Sequence, residues 1–220
     1  MALSIVILML AVSALAQTGA RQDAAATLPL DRTVSGQTLA SAARPARIEF
    51  NQGYKYLGGQ RFILYNVADA EQHLFADADQ QNRIRRLYWL QFEGYLPNNT
   101  RSSYNYKSTR TTNIGGLEFI VDTWVRKYTE PSQPGTDGAR MRELLESKRF
   151  RLPDEAAAIR LVHLTDTSKR NELMIIYMED LTGSGFRADE LAPGGAHADR
   201  WPAMGEELLR RATAGIKITQ

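Results

Sequence analysis

Residues 86–96, RLYWLQFEGYL, predict a central β-strand with two different faces. Successive side chains of a strand point to opposite faces of its sheet. The even positions from 84 onward are apolar apart from Arg86, and they predict the core side of the strand. These core positions are Ile84, Tyr88, Leu90, Phe92, Gly94 and Leu96. The odd positions place Gln91 and Glu93 between Trp89 and Tyr95, so an amide and a carboxylate share an aromatic side.

Residues 117–128, LEFIVDTWVRKY, repeat this division on a second strand. Asp122, Trp124 and Arg126 share one side of it, opposite an apolar side. The upstream run EQHLFAD places His73 on one side, and we expect that side to join the same surface. We call this predicted surface the polar-aromatic face. Its candidate binding residues are His73, Trp89, Gln91, Glu93, Tyr95, Asp122, Trp124 and Arg126.

The polar-aromatic face allows several interpretations. An antiparallel sheet often has one solvated side, and aromatic residues favour strands wherever they point. The same residues suit a recess for a polar organic ligand, because rings supply contact area and polar groups fix orientation. A protein-interaction face is a third interpretation. If the two strands pair, Glu93 and Asp122 resemble the acid/base pair of a glycosidase, and His73 offers a second acid/base set with either carboxylate.

The order of the remaining elements predicts an α+β fold. We expect strands mostly within 46–128 and again at 172–180, forming a curved antiparallel sheet. Helical spacing predicts helices at about 138–148 and 201–214. Pro153 followed by acidic residues predicts another helix at 153–164. We expect the two or three helices to pack on one face of the sheet.

The N-terminus predicts export. Leu3–Val12 is apolar, and Ala14 and Ala16 match the small residues that signal peptidase accepts at −3 and −1. The run is shorter than the roughly 20 residues that span a bilayer. We therefore expect a signal peptide over residues 1–16, with a noncleaved anchor as the alternative. No Lys or Arg precedes the run, which makes the signal a weak one. We also expect a flexible tail over 17–45 and one α+β domain over 46–220.

Composition excludes several kinds of site. The chain has no cysteine, which excludes disulfides, thiolate metal sites and a cysteine nucleophile. Its net charge of +2 gives no indication of a nucleic-acid partner. The three histidines are far apart in sequence, and no GxSxG, HExxH or Walker A pattern is present. Residues 183–188, GSGFRA, fit the looser GxGxxA pattern of dinucleotide-binding loops but lack its βαβ frame, so we interpret them as a flexible loop. We therefore predict no metal and no cofactor.

Together these features predict an exported protein, periplasmic or secreted. Export without disulfides is more typical of a bacterial periplasm than of a eukaryotic secretory route. The expected function is noncatalytic binding of a small organic or sugar-like ligand, or interaction with an envelope protein, with no transmembrane span after signal removal. The alternative is an exported hydrolase whose acid/base pair comes from Glu93, Asp122 and His73.

Overall fold

Two antiparallel sheets and three α-helices form the part of the chain that this computed structural model describes, residues 28–42, 45 and 47–220. The smaller sheet contains β1 (Thr33–Ser35), β2 (Thr38–Ala40), β3 (Arg47–Phe50) and, from the C-terminal end, β11 (Ile216–Thr219). This combination of antiparallel sheets and helices confirms the predicted α+β class.

The larger sheet has seven strands. In chain order they are β4 (Lys55–Leu64), β5 (Ala68–Ala78), β6 (Ile84–Tyr95), β7 (Thr111–Ile114), β8 (Leu117–Lys127), β9 (Glu155–Leu164) and β10 (Asn171–Asp180). Their order across the sheet is β4-β5-β6-β10-β9-β8-β7. The predicted strand at 172–180 is therefore confirmed as β10, and it lies in the middle of the sheet.

The helices are α1 (Asp137–Ser147), α2 (Ala188–Leu191) and α3 (Trp201–Ala214), with a short 3-10 turn at Ala198–Arg200 before α3. Thr136 caps α1, because its hydroxyl accepts a hydrogen bond from the Ala139 N–H. Gly215 ends α3. The predicted helices at 138–148 and 201–214 are confirmed within one residue at each end.

The predicted helix at 153–164 is wrong, because Glu155–Leu164 is strand β9. Ala156, Ala157 and Ala158 are strong helix formers in isolation. Here they lie between β8 and β10, buried on both faces of the sheet. A central strand covered on both sides shows a continuous apolar run that periodicity alone does not separate from a helix.

Both faces of the larger sheet are covered, so the prediction that the helices share one face is also wrong. On one face, Met141 and Leu145 of α1 pack against the side of β6 that carries Leu87 and Trp89. On the opposite face, α2, α3 and the smaller sheet pack against the side of β6 that carries Tyr88, Leu90 and Phe92. The sheet therefore has a hydrophobic core on each side.

Ordered β-structure begins earlier than the sequence predicted. The expected flexible tail extended through residue 45, but Thr33–Ala40 forms β1 and β2, and the Leu39 side chain is fully buried. The predicted signal peptide at 1–16 lies outside the described residues. Within the described ranges, each helix is too short or too polar to cross a bilayer.

Candidate functional site

The predicted polar-aromatic face lies mostly under α1 and the segment 97–110 rather than in water. Trp89 is 5% exposed and Gln91 is fully buried. The interpretation of this side as a solvated sheet face is therefore wrong for the middle of β6. Tyr95, near the end of the strand, is partly exposed and stacks on Tyr104 with 4.5 Å between ring centroids.

Strand order separates the residues that the sequence suggested as an acid/base pair. The strands β10 and β9 lie between β6 and β8. Three strand spacings correspond to about 14 Å, so Glu93 and Asp122 are not neighbours and the predicted pair is wrong. Asp122 instead accepts a hydrogen bond from Arg160 Nη2 at 2.6 Å, as a cross-strand ion pair.

His73 does not belong to the polar-aromatic face. Leu74 pairs with Trp89 across β5 and β6, so His73 points to the opposite face. It is fully buried there, with Nε2 at 2.7 Å from Glu71 Oε1 and Nδ1 at 3.1 Å from the Tyr56 hydroxyl. The predicted acid/base set of His73 with Glu93 or Asp122 is therefore wrong.

Trp89 and Trp124, two candidate binding residues of the polar-aromatic face, do lie on the same face and line the same cavity. The cavity has a volume of about 190 Å³ and lies between α1 and strands β6, β10, β9 and β8. Its apolar wall is formed by Trp89, Trp124, Tyr128, Met141, Met174 and Met178. Arg126 and Arg160 also line it. We call this space the α1 cavity.

Two residues that line the α1 cavity carry a buried N–H group without a hydrogen-bond acceptor. Trp89 Nε1 and Arg160 Nε are both buried, and neither finds a partner among the described residues. The two residues flank Ile176 in one cross-strand row, which brings their side chains to the same part of the wall. Buried donors are nearly always paired, and an unpaired one costs about 1–3 kcal/mol. Both N–H groups are closed to a water-sized atom in this arrangement, so an acceptor would reach them only after the surrounding side chains shift.

A second polar cluster lies further along the same face. Glu93 and Glu172 are directly opposite each other on β6 and β10. Tyr104 donates to Glu93 at 2.8 Å and Tyr106 donates to Glu172 at 2.6 Å, so the segment 97–110 covers both carboxyl groups. Both glutamates also line a more open cavity of about 370 Å³.

Burial controls the protonation of this glutamate pair. Glu172 is 4% exposed, and this burial raises its pKa to about 7, with the charge of Glu93 as a smaller contribution. Burial also raises the pKa of Glu93, although hydrogen bonds from Tyr104 and Gln91 oppose that shift. Sequence reasoning identified Glu93 but missed Glu172, because only strand pairing brings residues 79 positions apart into contact.

A glutamine ladder joins the glutamate pair to α1. Gln60 donates to Gln72 at 2.9 Å, Gln72 donates to Gln91 at 2.8 Å, and Gln91 donates to Glu93 at 2.5 Å. Gln72 also donates to the backbone carbonyl of Asp137 at the start of α1. The buried amides therefore have hydrogen-bond partners within the protein. Gln91 is bonded to Gln72 and Glu93, so its side chain is not free to bind a ligand.

The candidate site is thus smaller than the predicted face. Trp89, Trp124 and Arg126 line the α1 cavity. Asp122 does not line it but forms an ion pair with Arg160, which does. Tyr95 is also outside the lining and stacks on Tyr104. No group of three or more His, Asp or Glu side chains in the described ranges is arranged to hold a metal ion.

No known protein family, no curated protein and no solved structure matches this chain.

Proposed function

We propose that this protein is an exported, noncatalytic binding protein that holds a small organic ligand in the α1 cavity. The observation that carries the proposal is the Trp89 indole N–H, which is buried in the cavity wall without an acceptor. A ligand oxygen that reached this donor after a shift of the neighbouring side chains would satisfy it and recover the free energy that its burial costs.

The cavity lining supports a ligand of limited size. Ligand sites are mostly apolar, with a few polar groups that fix orientation. The α1 cavity has this composition, and its 190 Å³ is slightly more than the roughly 150 Å³ that holds benzene in an engineered protein cavity. One ring with a small substituent therefore matches the space.

Binding can be tested by following the indole N–H signals in ¹⁵N-NMR spectra. The chain has three tryptophans, Trp89, Trp124 and Trp201, and Trp201 packs on the opposite face of the sheet as an internal control. Titration with phenol, benzaldehyde or benzoate should shift the Trp89 signal in a saturable manner and leave Trp201 unchanged. If none of the three compounds shifts Trp89, the α1 cavity is not a ligand site of this kind.

Removing one aromatic wall gives a second test. Trp124 is partly buried beside the cavity, so Trp124→Ala should weaken binding by about 1–3 kcal/mol, as expected for a contact residue. Trp201→Ala is the matched control, because it removes a partly buried indole from the opposite face. Equal effects of the two variants on affinity would contradict the proposed location.

The export part of the proposal rests on Leu3–Val12 and on Ala14 and Ala16. Protein recovered from outside the cytoplasm should begin at Gln17 when its N-terminus is sequenced. Protein recovered with Met1 intact in a soluble cytoplasmic fraction would contradict export. This outcome would leave ligand binding in the α1 cavity as a separate, testable claim.

A further inference from the structure

We infer that the ligand of the α1 cavity is an aromatic monocarboxylate with an oxygen substituent on its ring, held by Arg126 at the carboxylate and by Trp89 and Arg160 at the ring oxygen. The inference rests on the proposed binding function and names its ligand class. It combines the charge of the cavity mouth, the shape of its wall and the unpaired donors inside it.

The charge of the lining favours a single negative charge on the ligand. Arg160 is paired with Asp122 at 2.6 Å, so its charge is compensated. Arg126 is exposed at the mouth, with its guanidinium 5.6 Å from the Tyr128 ring centroid and no ion-pair partner among the described residues. A guanidinium recognises a carboxylate well, because two N–H groups match its two oxygens.

Asp137 is the other charged residue in the lining, and it lies at the start of α1. Its pKa is raised, chiefly because burial disfavours the ionised carboxylate. The Gly138 N–H donates to Asp137 Oδ1 at 2.7 Å, so this side chain turns towards the start of its own helix. Of the two arginines in the lining, Arg126 is the one that forms no ion pair among the described residues.

The wall favours a flat ring. Met141, Met174 and Met178 contribute polarisable thioethers, which make favourable contacts with aromatic rings. Trp89 and Trp124 add two indole surfaces. Since the volume matches one ring with a small substituent, a fused bicyclic acid is too large for the space.

The interior donors select a neutral oxygen at the other end of the ligand. Trp89 Nε1 and Arg160 Nε supply N–H groups but no uncompensated charge, because Asp122 neutralises Arg160. A ring hydroxyl or carbonyl oxygen can accept from them once the side chains that cover the two nitrogens shift. Without such an oxygen, the two donors stay unpaired, and the ligand gains less from binding.

The experiment compares three probes on four proteins by isothermal titration calorimetry. The probes are 4-hydroxybenzoate, benzoate and 4-hydroxybenzyl alcohol. The proteins are the wild type, Arg126→Gln, Trp89→Phe and the control Lys127→Gln. Lys127 is adjacent to Arg126 but pairs with Asp189 at 2.9 Å on the other side of the strand. Its replacement changes the net charge equally.

In the wild type, 4-hydroxybenzoate should bind about 10-fold more tightly than the alcohol, since one charge-assisted hydrogen bond contributes at least this factor. It should bind about 2- to 10-fold more tightly than benzoate, since a hydrogen bond without net charge contributes about 0.5–1.5 kcal/mol. Arg126→Gln should abolish the advantage over the alcohol, whereas Lys127→Gln should keep it. Trp89→Phe should reduce the advantage over benzoate. Each comparison is a ratio of the affinities of two ligands for the same variant. A general loss of stability lowers both affinities alike and therefore cancels in the ratio.

The outcomes separate this inference from the proposed function. Binding of the alcohol as tightly as 4-hydroxybenzoate, or equal effects of Arg126→Gln and Lys127→Gln, would overturn the assigned ligand class while leaving the α1 cavity as a binding site. Equal or tighter binding of 2-naphthoate would overturn the size argument. If no probe binds and none shifts the Trp89 indole signal, both the ligand class and the proposed function fail.

Discussion

Glu172 and Glu71 are two buried glutamates of the larger sheet that should affect stability in opposite directions as the pH changes. Glu172 is 4% exposed and faces Glu93, whereas Glu71 is 2% exposed and contacts His73 and Arg32. Burial raises the pKa of Glu172 from its usual 4.5 to about 7. For Glu71, hydrogen bonds and nearby positive charge outweigh burial and lower the pKa.

The size of the Glu172 effect follows from linkage between protonation and folding. Below about pH 4.5 both the folded and the unfolded states hold the proton, so the shift has no effect. Between pH 4.5 and 7 the unfolded state loses the proton first, and stability falls as the pH rises. At about 1.4 kcal/mol for each pKa unit, a rise from 4.5 to about 7 removes about 3 kcal/mol by pH 8.

The perturbation is Glu172→Gln, which keeps an oxygen acceptor for Tyr106 but does not ionise. Urea unfolding should be measured for the wild type and the variant from pH 4.5 to 8.5. The free energy of unfolding of the variant, relative to the wild type, should increase by about 3 kcal/mol across this range. A relative free energy that stays constant with pH would refute the assignment of a protonated, buried Glu172.

Glu71→Gln is the matched comparison, because it makes the same chemical change on the opposite face. A carboxyl group with a lowered pKa stabilises the folded state above its unfolded pKa and loses this contribution as the pH falls. Glu71→Gln should therefore be destabilised at pH 7, and its deficit should shrink below about pH 4.5. If both variants showed the same pH trend, contacts rather than ionisation would govern the two sites.

Further predictions concern packing on the two faces. Leu145→Ala should lower the free energy of unfolding by about 2–5 kcal/mol, because the side chain is 1% exposed; a loss below about 1 kcal/mol in urea unfolding would contradict the packing of α1. Gly215→Ala should cost about 1–3 kcal/mol, since the new methyl group would lie 2.1 Å from the Tyr88 hydroxyl. Gly53→Ala, which meets no atom within 4 Å, is its control. Tyr88→Phe should lower the free energy of unfolding by about 1 kcal/mol, because it removes the 2.7 Å hydrogen bond to the Ala212 carbonyl. In a protein that already carries Tyr88→Phe, Gly215→Ala should destabilise the fold less than it does in the wild type.

The sequence predicted best those features that depend on neighbouring residues. The alternation in β6 assigned Trp89 and Gln91 to one side and Leu90 and Phe92 to the other, and both assignments are confirmed. Local capping and spacing likewise identified α3 at Trp201–Ala214. These features follow from the geometry of a single strand or helix, which repeats over a few residues.

Features that depend on distant residues were predicted less well. His73 was assigned to the wrong face, because shifting the pairing of two strands by one residue exchanges their sides. The Glu155–Leu164 strand was predicted as a helix, because its alanines favour a helix until strands on both sides bury them. The pairing of Glu93 with Glu172 depends on the insertion of β10 beside β6.

Residue patterns alone were enough to predict the α+β class, most strand positions, two helices and the aromatic composition of the face that holds Trp89 and Trp124. Long-range packing places α1 over this face and leaves a cavity of about 190 Å³, with two unpaired donors buried in its wall. Side-chain alternation is a local property of one strand, and a short segment is enough to show it. Strand order, register and the packing of a helix on a sheet are set by hydrogen bonds and apolar contacts between residues far apart in the chain.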